Sequence, residues 1–147
     1  MGRFTDSLRG PGLAGIAEIK RRSPSAGDLR PDADPARIAA AYAAAGAASI
    51  SVLVDERFAG TWDDLRAARA ATDAPLLAKG FFSTADDLRI AREAGADAVL
   101  FLLRDLDDAR TADLMVEAER LGLDRSSRRT TRRSSAGRSR WTRRSWA

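Results

Sequence analysis

Short unbroken apolar runs alternate with longer stretches whose apolar residues recur three and four apart, through the first 124 residues. The runs predict strands and the stretches predict helices. The first strand is expected over 16–20, where alternation puts Ile16, Glu18 and Lys20 on one face and Ala17 and Ile19 on the other. A helix follows with Asp34 as N-cap, Pro35 at its first position, Ile38 and Tyr42 along it, and Gly46 at its end. Ser-Ile-Ser-Val-Leu-Val over 49–54 is the second strand, and Thr61 opens a helix through Leu65 and Ala68 to Thr72. A third strand is expected over 75–79, followed by a helix capped by Thr84 that runs to Ala94 and ends at Gly95. The fourth pair is a strand over 98–103 and a helix over 107–121 ending at Gly122.

The pattern repeats. Ala45-Gly46-Ala47-Ala48-Ser49-Ile50 and Ala94-Gly95-Ala96-Asp97-Ala98-Val99 are the same helix–glycine–strand joint, 49 residues apart. Strands that are apolar on both faces and alternate with helices indicate a parallel α/β sheet covered by helices. Four such units amount to half of a (β/α)8 barrel, which typically takes about 250 residues. Chemistry in that architecture sits where strands end and loops begin. Glu18 and Lys20 fall there, ahead of a Ser23-Pro24-Ser25 turn; so do Asp55-Glu56-Arg57-Phe58 and Lys79-Gly80-Phe81. Two opposite charges on one strand face fit either a solvated sheet edge or a polar site, and the strand alone does not choose between them. Likewise Lys79 fits a solvated strand end, Phe58 and Phe81 fit a plain core, and Ser23-Pro24-Ser25 fits an ordinary turn.

Composition narrows the chemistry. Hydrophobic residues at 44% and charged residues at 31% describe a globular chain, and 147 residues suffice for one domain with a core. There is no cysteine and no histidine, which excludes disulfides, thiolate or imidazole metal sites, and histidine acid–base schemes. No apolar run approaches the roughly 20 residues of a membrane span, and the start has no signal-peptide core, so a cytoplasmic location without membrane contact is expected. The net charge of +4 averages two unlike parts. Nine of the 25 basic residues lie after Asp124, where there are no acidic ones; the 16 left face 21 acids, a net −5 for residues 1–124. The domain boundary is accordingly expected at 124, with 125–147 an Arg/Ser-rich tail whose only large apolar side chains are Trp141 and Trp146. Such a tail could neutralise phosphates and stack bases as a nucleic-acid-binding segment. The reading preferred here is a disordered segment or GC-rich coding DNA read out of frame, in which a shifted frame can yield Leu-Val-Glu-Ala-His-Asp and an amphipathic helix.

Four motifs, in order, resemble the indole-3-glycerol phosphate synthase family. Residues 17–27 match its first-strand signature A-E-[IYV]-K-R-x-S-P-S-x-G throughout. Ser51-Val52-Leu53-Val54-Asp55-Glu56-Arg57-Phe58-Ala59-Gly60 is close to the second, Pro75-Leu76-Leu77-Ala78-Lys79-Gly80-Phe81 to the third, and residues 95–101 to the fourth. The resemblance spans about residues 8–124 and implies a (β/α)8 TIM barrel, here about four βα units. It implies a lyase that closes the indole ring of 1-(2-carboxyphenylamino)-1-deoxyribulose 5-phosphate, losing carbon dioxide and water, with no metal or organic cofactor. By the same resemblance Lys79 is the general acid, Lys20 supports the substrate carboxylate and the dehydration, and Glu18 orients the lysines and the ribulose hydroxyls. Ser23 then lines the phosphate side, and Phe58, Phe81 and Leu100 form apolar walls around the aromatic ring. A different phosphate-binding barrel, phosphoribosylanthranilate isomerase, needs a cysteine that this sequence lacks.

The sequence also departs from the family pattern. Gly80 stands where the family usually has Asp, which removes a carboxylate beside Lys79. The family has an N-terminal helical extension, whereas about 15 residues precede Ile16 here. The family's later glutamate base, its Asn-x-Arg and its glycine-rich phosphate loops have no counterpart. The expectation from these differences is a half-barrel with open edges and nothing across its inner face, marginal or self-associating, with little or no activity alone.

Overall fold

The computed structural model describes residues 2–102 and 107–128; Leu103, Trp141 and Trp146 lie outside the described residues. A short N-terminal helix, α1 (Arg3–Ser7), precedes β1 (Ile16–Ile19). A small antiparallel hairpin of β2 (Arg22–Ser23) and β3 (Gly27–Asp28) occupies the place of the expected Ser-Pro-Ser turn. The chain then alternates α2 (Pro35–Ala44), β4 (Ser49–Leu53), α3 (Trp62–Ala71), β5 (Leu76–Lys79), α4 (Ala85–Glu93), β6 (Ala98–Leu102), α5 (Asp108–Arg120) and β7 (Asp124–Arg128). Five strands form one parallel sheet in the order β1-β4-β5-β6-β7. The parallel α/β barrel-type architecture is therefore present, with its strands in sequential order.

Local chemistry explains the boundaries. Asp34 caps α2 by accepting from the amides of Ala36 and Arg37, with Pro35 just inside. Thr61 and Thr84 each form a capping box, reciprocated by Asp64 and Asp87. Gly46 and Gly95 take φ of +83° and +97°, the left-handed conformation that ends a helix and turns the chain into the next strand. The repeated joint read from the sequence is this turn.

The two faces of the sheet differ. Ile19, Ile50, Val52, Leu76, Ala78, Val99 and Phe101 point toward the helices, where Leu65, Leu88 and Leu114 complete the main core. The opposite, concave face carries Leu77, Ala98 and Leu100, and Phe4 of α1 packs on it. That corrects the expectation of an uncovered inner face: α1 lies across its lower part. Asp124 holds it there, accepting from the amides of Gly2 at 2.9 Å and Thr5 at 2.8 Å, while Arg3 reaches Asp97 at 3.3 Å. Ser49 and Ser51 are buried on β4, and their hydroxyls find no hydrogen-bond partner among the described residues.

The tail boundary moves as well. Composition places a disordered segment from 125, yet Asp124–Arg128 form a fifth strand, with Ala98 opposite Asp124 and Leu102 opposite Arg128. Strand pairing uses backbone groups and does not demand apolar side chains. Buried Leu123 anchors the entry, and the guanidinium of Arg125 lies against α5, 3.8 Å from Glu119. Residues 129–147 lie outside the described residues.

Candidate active site

The carboxyl ends of β1, β4, β5 and β6 surround a cavity of about 260 Å³ lined by Glu18, Lys20, Leu53, Phe58, Lys79, Gly80 and Leu100. Its volume is a little below the roughly 300–1,000 Å³ of small-molecule sites. Strand register explains the gathering. Glu18 lies opposite Ser51 on β4, and Leu53, two residues on, lies opposite Lys79 on β5. A period of two puts Glu18, Leu53 and Lys79 on the concave face.

Glu18 and Lys79, 61 positions apart in sequence, meet directly: the ammonium donates to Oε2 at 2.5 Å. Both side chains keep about a third of their surface exposed, 35% and 32%, so the pair sits at an opening and not in a sealed interior. A charge-assisted contact of this kind orients both groups. The Lys20 ammonium lies over the Phe58 ring, 5.5 Å from its centre, a cation–π contact that fixes it against this wall of the cavity. The result is one carboxylate and two ammonium groups above an apolar floor of Leu53 and Leu100.

Phe58 is carried by a single 3-10 turn, Glu56–Phe58, capped by Asp55, which accepts from the Arg57 amide at 3.0 Å. The Arg57 guanidinium also grips the Asp55 carboxylate with two contacts at 2.8 Å. This hydrogen-bonded guanidinium holds the Asp55 carboxyl below its ordinary range, outweighing the opposite push of burial.

Of the residues expected at the site, Glu18, Lys20, Lys79, Phe58 and Leu100 line the cavity. Ser23 and Phe81 are not among its lining residues. Ser23 is buried in β2, its hydroxyl 3.1 Å from that of Ser25. The Phe81 ring lies under the Arg57 guanidinium, which stands 3.3 Å from its centre. Leu53 lines the cavity without having been singled out, and Gly80, noted above for its departure from the family pattern, lines it too. Alternation from Ser51 points to Leu53, but nothing in the sequence distinguishes it from its apolar neighbours.

The family model for indole-3-glycerol phosphate synthase matches residues 2–126. Curated relatives bearing that name include one from a Nocardioides species, 52% identical over 117 residues, which cover 79% of this chain and 45% of the relative. One from Mycolicibacterium gilvum is 45% identical over 118 residues, covering 80% and 43% respectively. One from Desulfosudis oleivorans is 44% identical over 128 residues, covering 82% and 48%. The chain thus spans a little less than half the length of the curated relatives it matches.

Proposed function

The chain belongs to the indole-3-glycerol phosphate synthase family, and from that membership we propose that its strand-end cavity serves the closure of the indole ring of 1-(2-carboxyphenylamino)-1-deoxyribulose 5-phosphate, with loss of carbon dioxide and water. The observation that carries the reading is the meeting of Glu18, Lys79 and Lys20 in one open cavity. Lys79 is the general acid at the substrate's carbonyl, a task suited to an ammonium positioned by a carboxylate. Lys20 faces the aromatic carboxylate and assists the dehydration, held over Phe58 so that its charge stays on the cavity side. Glu18 fixes Lys79 and takes the ribulose hydroxyls. Phe58 and Leu100 flank the aromatic ring; Phe81 is assigned to the same wall, with one face shared by Arg57. Ser23 belongs to the phosphate side, at the hairpin between β1 and α2.

A cytoplasmic setting goes with this reading; no helix among the described residues is long and apolar enough to cross a membrane. Self-association through the sheet edges belongs to it too. Titration of the full chain with the carboxyphenylamino-deoxyribulose phosphate, followed by calorimetry, tests the assignment. Saturable binding is expected, with Kd raised about tenfold or more in Lys20→Ala, the worth of one charged hydrogen bond. In any turnover the chain supports, Lys79→Ala costs about 100-fold or more. Absence of saturable binding, or binding indifferent to Lys20→Ala, overturns it.

A further inference from the structure

We propose that Arg21 is the positioning residue of this cavity, setting Lys20 and Phe58 against each other by clamping the first two strand-end loops together; the functional weight of this rests on the reading above. Arg21 follows Lys20 directly, two residues past the end of β1, and its side chain reaches α3. There its guanidinium makes a fork on Asp64, Nη1 donating to Oδ2 at 2.6 Å and Nη2 to Oδ1 at 2.8 Å. The same group donates to the carbonyl of Ala33, at the end of the first loop, and to that of Ala59, in the second, each at 3.2 Å. Its own carbonyl accepts from the amides of Leu29 at 2.8 Å and Arg30 at 3.1 Å, closing the base of the β2–β3 hairpin. One residue therefore joins the end of β1, both ends of the first loop, the second loop and the first turn of α3.

Each partner is itself held. Asp64 reciprocates the Thr61 cap, accepting from the Thr61 amide at 2.9 Å through the oxygen that also receives Arg21 Nη1. Ala59 has a φ of +53°, the one non-glycine residue with positive φ among the described residues, a conformation that persists where surroundings impose it. Gly60 next to it is pressed against β4, where an added Cβ would fall 2.1 Å from the Leu53 carbonyl oxygen. The second loop is thus pinned to β4 by Gly60 and to β1 by Arg21. Lys20 and Phe58, the cavity residues 5.5 Å apart, are each one residue removed from those pins. Side-chain exposures of 21% for Arg21 and 11% for Asp64 make the fork largely, though not fully, buried. A lysine there keeps the charge but cannot supply the planar set of donors that reaches Asp64 and two carbonyls at once.

The test uses the full chain and needs no substrate. In its NMR spectrum, the Lys20 ε-methylene is expected to be displaced upfield by the Phe58 ring current. Arg21→Lys and Asp64→Asn are expected to remove that displacement and speed amide exchange at Leu29 and Arg30 while the chain remains folded. Arg69→Lys, which breaks the other shielded arginine contact, with Asp97 at the opposite end of the strands, is the control and should leave both signals in place. If Arg21→Lys does not fold, Asp64→Asn decides, since Asn keeps an oxygen for the Thr61 amide. A Lys20 signal unchanged in the folded variants, or lost equally in Arg69→Lys, overturns the proposal. Substrate titration of the wild type reports separately on the cavity's function, so the two readings fail independently.

Discussion

Gly80 shows how a single side chain that looks like a simple loss is locked in by its neighbours. Its φ is not in the positive range, so its backbone conformation does not require glycine. An added Cβ would lie 3.2 Å from both Phe82 Cε1 and Val54 Cγ2, tighter than ordinary contact. Phe82 is buried and stacks on Trp62 with ring centres 6.0 Å apart, so it has little room to yield. Restoring the family's usual acid therefore meets a packed ring. Gly80→Asp should lower stability by at least about 1 kcal/mol through overpacking, before any cost of enclosing the carboxylate. Phe82→Val costs stability by itself, but in its background Gly80→Asp should cost less, a coupling of about 1 kcal/mol in a urea-denaturation double-mutant cycle. Additive effects would show that Phe82 is not what excludes the side chain. At this scale the sequence was partly legible. Glu18, Lys20 and Lys79 stand out because charges at strand ends are conspicuous, and strand parity places them. The Arg21–Asp64 fork was not, because the partners are 43 positions apart and both read as ordinary surface charges.

Elements of one turn depend on their caps more than longer ones do, since they have few internal hydrogen bonds to share the load. The Glu56–Phe58 turn, which carries the cavity's aromatic wall, is capped by ionised Asp55 through the Arg57 amide and tied by the Arg57 guanidinium. Because the folded pKa of Asp55 lies below its unfolded value, its contribution is complete above the unfolded pKa of about 3.9 and lost as pH falls through the lower folded value. Asp55→Asn is expected to flatten part of the decline in stability below about pH 4. The comparison to make is the unfolding midpoint of wild type and variant across that range. Identical acid limbs would mean that the carboxylate's charge contributes nothing to the fold. The longer helices were readable because their signals are local: Asp34, Thr61 and Thr84 cap where the sequence says, and Gly46 and Gly95 terminate. The five-residue α1 and β7 were not, for each exists through distant partners, and the β2–β3 hairpin, though its pairs are close in sequence, has strands of two residues, too short to show a period. Asp124 fastens α1, and β6 supplies the backbone on which Arg125-Ser126-Ser127-Arg128 pairs.

Over the whole molecule, the concave face decides behaviour in solution. Phe4 covers its lower part against Leu77, Ala98 and Leu100, and the cavity opens at its upper end. The Ser49 and Ser51 hydroxyls on β4 are buried with no hydrogen-bond partner among the described residues. At one side β1 has a single strand neighbour among the described residues. It leaves Ile16 40% exposed on that face, and Leu13 just before it is fully exposed. An open parallel edge with apolar side chains beside it is a template for another strand, and charge placed there is the usual deterrent. We therefore expect the full chain to associate with itself as concentration rises, measured as an increasing weight-average mass in sedimentation equilibrium. Ile16→Lys, which puts a cation on the exposed position without touching the helix-side core, should shift the distribution to monomer and leave far-ultraviolet circular dichroism unchanged. A monomer throughout the concentration range, or association untouched by Ile16→Lys, would place the interaction-prone surface elsewhere than β1. The same measurement bears on the cavity, because Glu18 shares that strand and face: association through β1 brings a second surface beside the Glu18–Lys79 pair, and binding of the carboxyphenylamino-deoxyribulose phosphate should then depend on protein concentration in the wild type and lose that dependence in Ile16→Lys.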